Sequence, residues 1–308
     1  MNITWLNDFA QNWTDRQEHG RSPHAVLLTG SPGVGKRAAA SWIAAHKLGI
    51  GSPGDAPVYP VEPLEHADLH WIAPLDDKEA IGIGQIRDLV AEFSLTSYEG
   101  SGKVAVIEPA NAMTTNAANS LLKTLEEPSG DALLILIADR MGKLPATIFS
   151  RCQRIDLALP DEAEALAWLD RLHPGANWVE ALGLAGNAPL AAITALDHLE
   201  THSTMSRDFT AVAKGGASAL EVAARWARLD TGFVLDWLAR QVQQAIRGST
   251  VGAIDESVVK RMDRRNLFCY LDIINGLRSQ PGGSYNVHLT LESLLIDWAE
   301  GLRNCSRR

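Results

Sequence analysis

The chain has 308 residues, 46% of them hydrophobic and 21% charged, with a formal net charge of −9 at pH 7. That length suits two or three domains and a sizeable core, and the acidic balance excludes a protein that coats phosphate backbones with its whole surface. The three cysteines, Cys152, Cys269 and Cys305, are scattered and odd in number, which excludes a disulfide framework and points to a reducing, cytoplasmic setting.

The opening stretch "MNITWLNDFAQNW" has no basic segment followed by an apolar run, so no signal peptide is expected. "AVLLTG" (25–30) is a buried-strand pattern, and "KRAAASWIAAHKLG" (36–49) an alanine-rich helix ended by Gly49. A Gly- and Pro-rich loop follows, then a second strand, "DLHWIAP" (68–74). Residues 51–82 hold seven acids (Asp55, Glu62, Glu65, Asp68, Asp76, Asp77, Glu79) against Lys78, so DNA would be met through a local patch or through partners.

Helical spacing of Ile86, Leu89, Val90 and Phe93 predicts a helix over 84–95. "KVAVIE" (103–108) is a third strand, and a helix capped by Thr114 or Thr115 runs to a stop at Pro128. "ALLILIA" (132–138), the longest apolar run, is too short for a bilayer and suits a strand buried on both faces. Strands alternating with helices predict an α/β sandwich with a mainly parallel sheet.

Beyond "LALPDE" (157–162) the strand signals vanish. Residues 161–200 are helical with breaks near "HPGAN" and "GNAPL". Residues 207–300 are helical again, interrupted by "RGSTVGAID" (247–255) and "RSQPGGSYN" (278–286). The expected layout is a P-loop-like α/β domain over 1–160, a small helical lid over 161–205 and a helical bundle over 206–308.

Between the first strand and its helix lies Gly30-Ser31-Pro32-Gly33-Val34-Gly35-Lys36, the G-x-x-x-x-G-K pattern of a phosphate-cradling loop. Its glycines allow a nest of backbone N–H groups, and Lys36 reaches the outer phosphates. Turnover also needs a hydroxyl and an acid to hold magnesium, and a group to position water. Arg37 stands where the hydroxyl belongs and cannot coordinate a cation. The third strand ends in Glu108-Pro109: Glu108 can still reach a metal, but Pro109 offers no base. The sequence therefore predicts a degenerate ATPase site and leaves nucleotide binding without turnover open.

A third motif is Ser150-Arg151-Cys152, within "LPATIFSRCQRI" (144–155). Alone, Arg151 reads as a solvated surface residue and Cys152 as a small buried apolar side chain.

Together, Gly30–Arg37, "GQIRDL", "KVAVIEPANAMTTNAANSLLKTLEEP" and "KLPATIFSRC" closely resemble the bacterial clamp-loader family of AAA+ proteins, strongly over residues 20–160 and only by layout beyond. The resemblance implies a subunit of a heteropentameric ring within a DNA-directed DNA polymerase complex. Its partners would be gamma/tau and delta subunits, with the sliding clamp and primed DNA reached through the complex and no membrane. It implies that Arg151 is an arginine finger for a neighbouring subunit, and that residues 206–308 form a collar; Trp226, Trp237 and Trp298 supply large apolar surface there, the default for each being burial within its own bundle.

Active members carry a Thr pair after the fourth strand and an Arg in the lid's GxP motif; here these are Ala138-Asp139 and Leu190. These departures imply a degenerate stator with ATP-Mg handled by the neighbour and no stably bound cofactor. The zinc module common among relatives lacks its cysteines here, so His66 and His70 are expected to be surface residues and no metal is expected. The alternatives are an active gamma/tau-like ATPase, a P-loop small-molecule kinase, or a free-standing DNA-binding protein, which the acidic balance disfavours; within a ring, bases such as Arg87 and Lys103 could touch DNA.

Overall fold

The computed structural model describes the chain apart from residues 21, 52–53, 77, 129, 140–143, 248–261, 279, 281–284 and 304–308. Cys305 and nearly all of the interruption expected at 247–255 lie outside the described residues. The chain divides into two compact units, Met1–Leu196 and Asp197–Arg308.

The first unit is built on a five-stranded parallel sheet: β1 (Ala25–Gly30), β2 (Leu69–Ile72), β3 (Lys103–Ile107), β4 (Ala132–Ala138) and β5 (Gln153–Leu157), in the order β2-β3-β4-β1-β5. The central strands β3 and β4 are buried along their whole length, as is β1 up to its final glycine. These are the near-continuous apolar runs of a parallel sheet covered on both faces. α2 (Lys36–Leu48) ends in a left-handed Gly49, as its sequence predicts, and Thr114 caps α4 (Thr115–Glu126) by accepting from the Ala117 amide. α3 (Ile83–Phe93) buries Ile86, Leu89 and Phe93.

Two elements gave no clear sequence signal. α1 (Asn7–Glu18) buries only Ala10 and Trp13, too sparse a stripe for a periodicity argument. β5 carries exposed Arg154 and Asp156, charges that suit a sheet edge and break the apolar run. A Cβ on Gly30, opposite the end of β5, would lie 2.5 Å from Leu157 O, so the close approach of β5 requires a glycine there.

α5 (Ala146–Phe149) leads into β5; α6 (Glu162–Leu172), α7 (Trp178–Leu184) and α8 (Pro189–Leu196) complete the unit. The N-terminal residues bind these helices to the sheet domain: Trp168 Nε1 donates to Asn2 O (2.7 Å) and Thr4 Oγ1 to Glu164 Oε1 (2.7 Å).

The second unit comprises α9 (Leu199–Ala213), α10 (Ala219–Trp226), α11 (Thr231–Arg247), α12 (Arg264–Arg278) and α13 (Val287–Ala299) among the described residues. The boundary expected at 205/206 falls inside α9, because His202, Met205, Phe209 and Val212 form one buried stripe of that helix. Phe209 stacks on Trp298 (4.1 Å between centroids) and meets Trp237 edge-on, while Trp226 packs alongside. Trp226, Trp237 and Trp298 are all buried in this unit's core, the default reading of each. No single helix among the described residues is long and apolar enough to cross a membrane.

His202 lies against the edge of Trp237. Burial, and then the charge of Arg240, pulls its pKa down to about 4. The unfolded imidazole titrates near 6.5, so between those values the unfolded chain binds more protons than the native one. Stability is therefore lost as pH falls from about 6.5 through about 4. We expect His202→Gln to flatten this acid limb in urea titrations at about pH 7 and about pH 5.

Candidate functional site

The C-terminal ends of β1, β3 and β4 converge on a cleft of about 490 Å³ lined by the glycine loop, Lys36, Arg37, Glu108, Pro109, Asp139 and Leu190. The structure thus brings Gly33, Gly35, Lys36, Arg37, Glu108, Pro109, Asp139 and Leu190 to one place. A second cleft, about 500 Å³, lies between α2 and residues 54–64 among side chains such as Trp42, Val58 and Leu64, and adjoins the first at Ala38, Tyr59, Pro60 and Val61.

Lys36 is 5% exposed. Its ammonium donates to Gly30 O and Ser31 O, both at 2.8 Å, and pairs with Asp139 Oδ1 at 2.7 Å. An ammonium has three N–H groups, and all three are engaged by the chain itself. Asp139 follows β4, whose Ala138 is in register with Thr29 of β1, so the parallel pairing delivers the carboxylate across the loop. The sequence shows the acid; the strand order shows its partner.

Arg37 Nη1 lies 3.6 Å from Glu108 Oε2, and its guanidinium sits over the Trp71 ring, 5.2 Å from the centroid. Trp71 Nε1 donates to the same Glu108 oxygen at 3.0 Å. Arg37 thus directs its charge at the acid that would otherwise face a metal. The Arg37 side chain is 64% exposed, so the pair adds little stability. Among the described lining residues, two cations and two carboxylates balance.

The lid closes on the loop. Leu190 N donates to Gly33 O (3.1 Å), and a Cβ on Gly33, whose φ is +81°, would meet Ala191 at 2.5 Å. The first turn of α8 therefore rests on the loop backbone. Trp5 Nε1 adds a bond to Val34 O at 2.8 Å.

Ser150-Arg151-Cys152 lies between α5 and β5. The Arg151 side chain is 32% exposed and folded onto its own subunit. Nε and Nη2 donate to Glu126 Oε1, and Nη1 donates to Thr147 O (3.1 Å) and Ser150 Oγ (3.0 Å). Glu126, which sequence reasoning did not single out, is thus a close partner of Arg151. Burial pushes the Cys152 thiol up to about 12, so it stays protonated and acts as an apolar filler beside the sheet core.

Three surface expectations are corrected. The His66 side chain is 9% exposed: Nδ1 accepts from Asp68 N and Nε2 meets Glu99 Oε2 at 3.1 Å. The ring turns inward because it helps hold the loop around buried Asp68, which accepts from the Tyr98 and Glu99 amides. His70 is half-buried against Phe93, and burial followed by the Lys103 charge lowers its pKa. Lys103 is 3% exposed, with its ammonium bonded to Glu92 O, so it is withdrawn from any nucleic acid, whereas Arg87 is exposed on α3. Among the described residues no three His, Cys, Asp or Glu side chains are grouped so as to hold a metal ion.

A glycine loop between a parallel β1 and α2, with a helical lid seated on it, defines a P-loop protein of the AAA+ class. A crystal structure of a DNA polymerase III gamma subunit-related protein from Thermotoga maritima shares this fold. It is 19% identical at a TM-score of 0.54, with 98% of this chain and 100% of that one covered.

The family model described as DNA polymerase III, delta subunit matches residues 5–161. The DNA polymerase III subunit delta' of Pseudomonas aeruginosa is 31% identical over 93% of this chain and 95% of its own length. The tau subunit of Bacillus subtilis is 32% identical over 43% of this chain and 24% of that longer protein. The chain belongs to the delta' family of DNA polymerase III clamp-loader proteins.

Asp139→Ala would leave one Lys36 N–H unpaired in a buried setting. Because the carboxylate is itself 39% exposed, the expected loss is about 1 kcal/mol. Denaturant unfolding of the full chain, followed through the first unit's tryptophans, checks it.

Proposed function

We propose that this chain is a clamp-loader subunit without turnover of its own, a stator that completes a neighbouring subunit's ATP site with Arg151. The observation that carries the reading is the self-neutralised cleft. Lys36 is held by two loop carbonyls and Asp139, and Arg37 faces Glu108. A nucleotide phosphate would have to displace a carboxylate from Lys36 and then face two acids without a metal-holding hydroxyl. Turnover further requires a group that positions water, and Pro109 supplies none.

Arg151 is suited to the donated role by its chemistry. A guanidinium keeps its charge and can bind two phosphate oxygens at once, stabilising charge on the transferred group. Family membership supports the setting: a ring with gamma/tau-type and delta subunits, with sliding clamp and primed DNA engaged through the complex. Within this reading the helices after β5 serve as the lid, and the second unit serves as the assembly collar.

The isolated chain should hydrolyse no ATP, and millimolar Mg-ATP should leave its melting temperature unchanged. Turnover abolished by Lys36→Ala would instead establish an active gamma/tau-like ATPase.

In a reconstituted loader, Arg151→Ala should leave assembly intact and slow DNA-stimulated ATP hydrolysis and clamp loading. A trans finger supplies about 10³–10⁵ in rate at its own site, but the ring has other sites, so the overall loss should be partial. Unchanged rates in a confirmed ring would leave Arg151 with a local structural role beside Glu126.

A further inference from the structure

Glu126 is the last residue of α4, followed by a second acid, Glu127. Acids at a helix C-terminus face the negative end of the helix dipole, so local helix stability does not call for them. Glu126 nevertheless has a defined task in space. Its Oε1 takes both the Nε and Nη2 donors of Arg151, 25 residues later in the chain.

The remaining contacts fix the guanidinium in one plane. Nη1 donates to Thr147 O and to Ser150 Oγ, and Ser150 Oγ donates in turn to Thr147 O (3.1 Å). A guanidinium has five N–H groups; four contacts leave one, on Nη2, without a partner among them. Glu126 occupies the Nε–Nη2 side, so the remaining Nη2 hydrogen lies on the Nη1–Nη2 end. That end is the pair of donors a phosphate takes in a fork.

We propose that Glu126 is the positioning residue of Arg151: it grips the guanidinium from the side so that its Nη end is presented, already oriented, to a phosphate held by the neighbouring subunit. The proposal rests on the reading of Arg151 as a donated finger. It assigns a role to the helix that ends in "TLEEP", which the cleft chemistry leaves without one. An unclamped arginine would have to freeze its rotamers on meeting the phosphate, whereas a clamped one has lost that freedom in advance. The pair is partly exposed, with Glu126 at 50%, so it orders the side chain without contributing much to folding.

The test is a double-mutant cycle in the reconstituted ring, with DNA-stimulated ATP hydrolysis as readout and melting temperatures recorded for each variant. Glu126→Ala should lower kcat about 3- to 10-fold at the affected site, less than the loss from Arg151→Ala, with KM for ATP unchanged. Glu126→Gln, which keeps the accepting oxygen, should recover most of the rate. In the Arg151→Ala background, Glu126→Ala should have no further effect. A faster Glu126→Ala ring would mean that the carboxylate restrains the finger, and an additive loss would mean that it acts elsewhere; either result overturns the proposal. If Arg151→Ala slows the ring while Glu126→Ala does not, this inference fails and the finger reading stands. If Arg151→Ala itself has no effect, both fall.

Discussion

The ammonium of Lys36 has three hydrogens and, in this chain, three internal acceptors. In a working phosphate loop the lysine is held in reserve for a ligand; here it ties the loop to itself and to the end of β4. The conformation of Gly30–Gly35, the seat of α8 and the neutrality of the cleft all turn on that one buried cation. A buried ammonium without partners carries a heavy desolvation penalty, and here two loop carbonyls and Asp139 are its partners. Asp139 supplies the negative charge that a phosphate would bring. Arg37 takes the opposite part, bringing positive charge to Glu108 where a metal ion would.

On the proposed reading, this pairing of side chains keeps the architecture in place where the residues at the site depart from the motif. The sheet order that brings β1 between β4 and β5 still aims three strand ends at one point. The glycine at position 33 still lets another backbone approach closely, but what approaches is Ala191 of the lid. The geometry of a nucleotide site can therefore be kept by packing alone. What differs is which atoms fill it.

Much of this was legible in the sequence, and the reasons are physical. β1, β3 and β4 announce themselves because both faces are buried, and the glycine loop does so because few residues tolerate its backbone angles. β5 was not legible, since an edge strand with Arg154 and Asp156 lacks an apolar run. The break between units was misplaced because α9 is one continuous helix whose apolar stripe begins before residue 205. Arg37, Glu108, Pro109 and Asp139 could each be read as departures, yet their mutual pairing needed the strand order. Glu126 was visible only as part of a motif. The contact that gives it meaning joins the end of one helix to the turn after another.

The turn of α8 resting on Gly33 has a consequence beyond the cleft. Where a lid is joined to its loop through a bound nucleotide, the angle between them follows the fuel. In this chain the Leu190–Gly33 hydrogen bond and the Ala191 contact make that joint without an intermediary. Under the proposed function, that angle would be set by the sequence itself and not by the ratio of ATP to ADP in the surroundings. Such a body can serve as a datum, a part whose shape stays the same while others are measured against it.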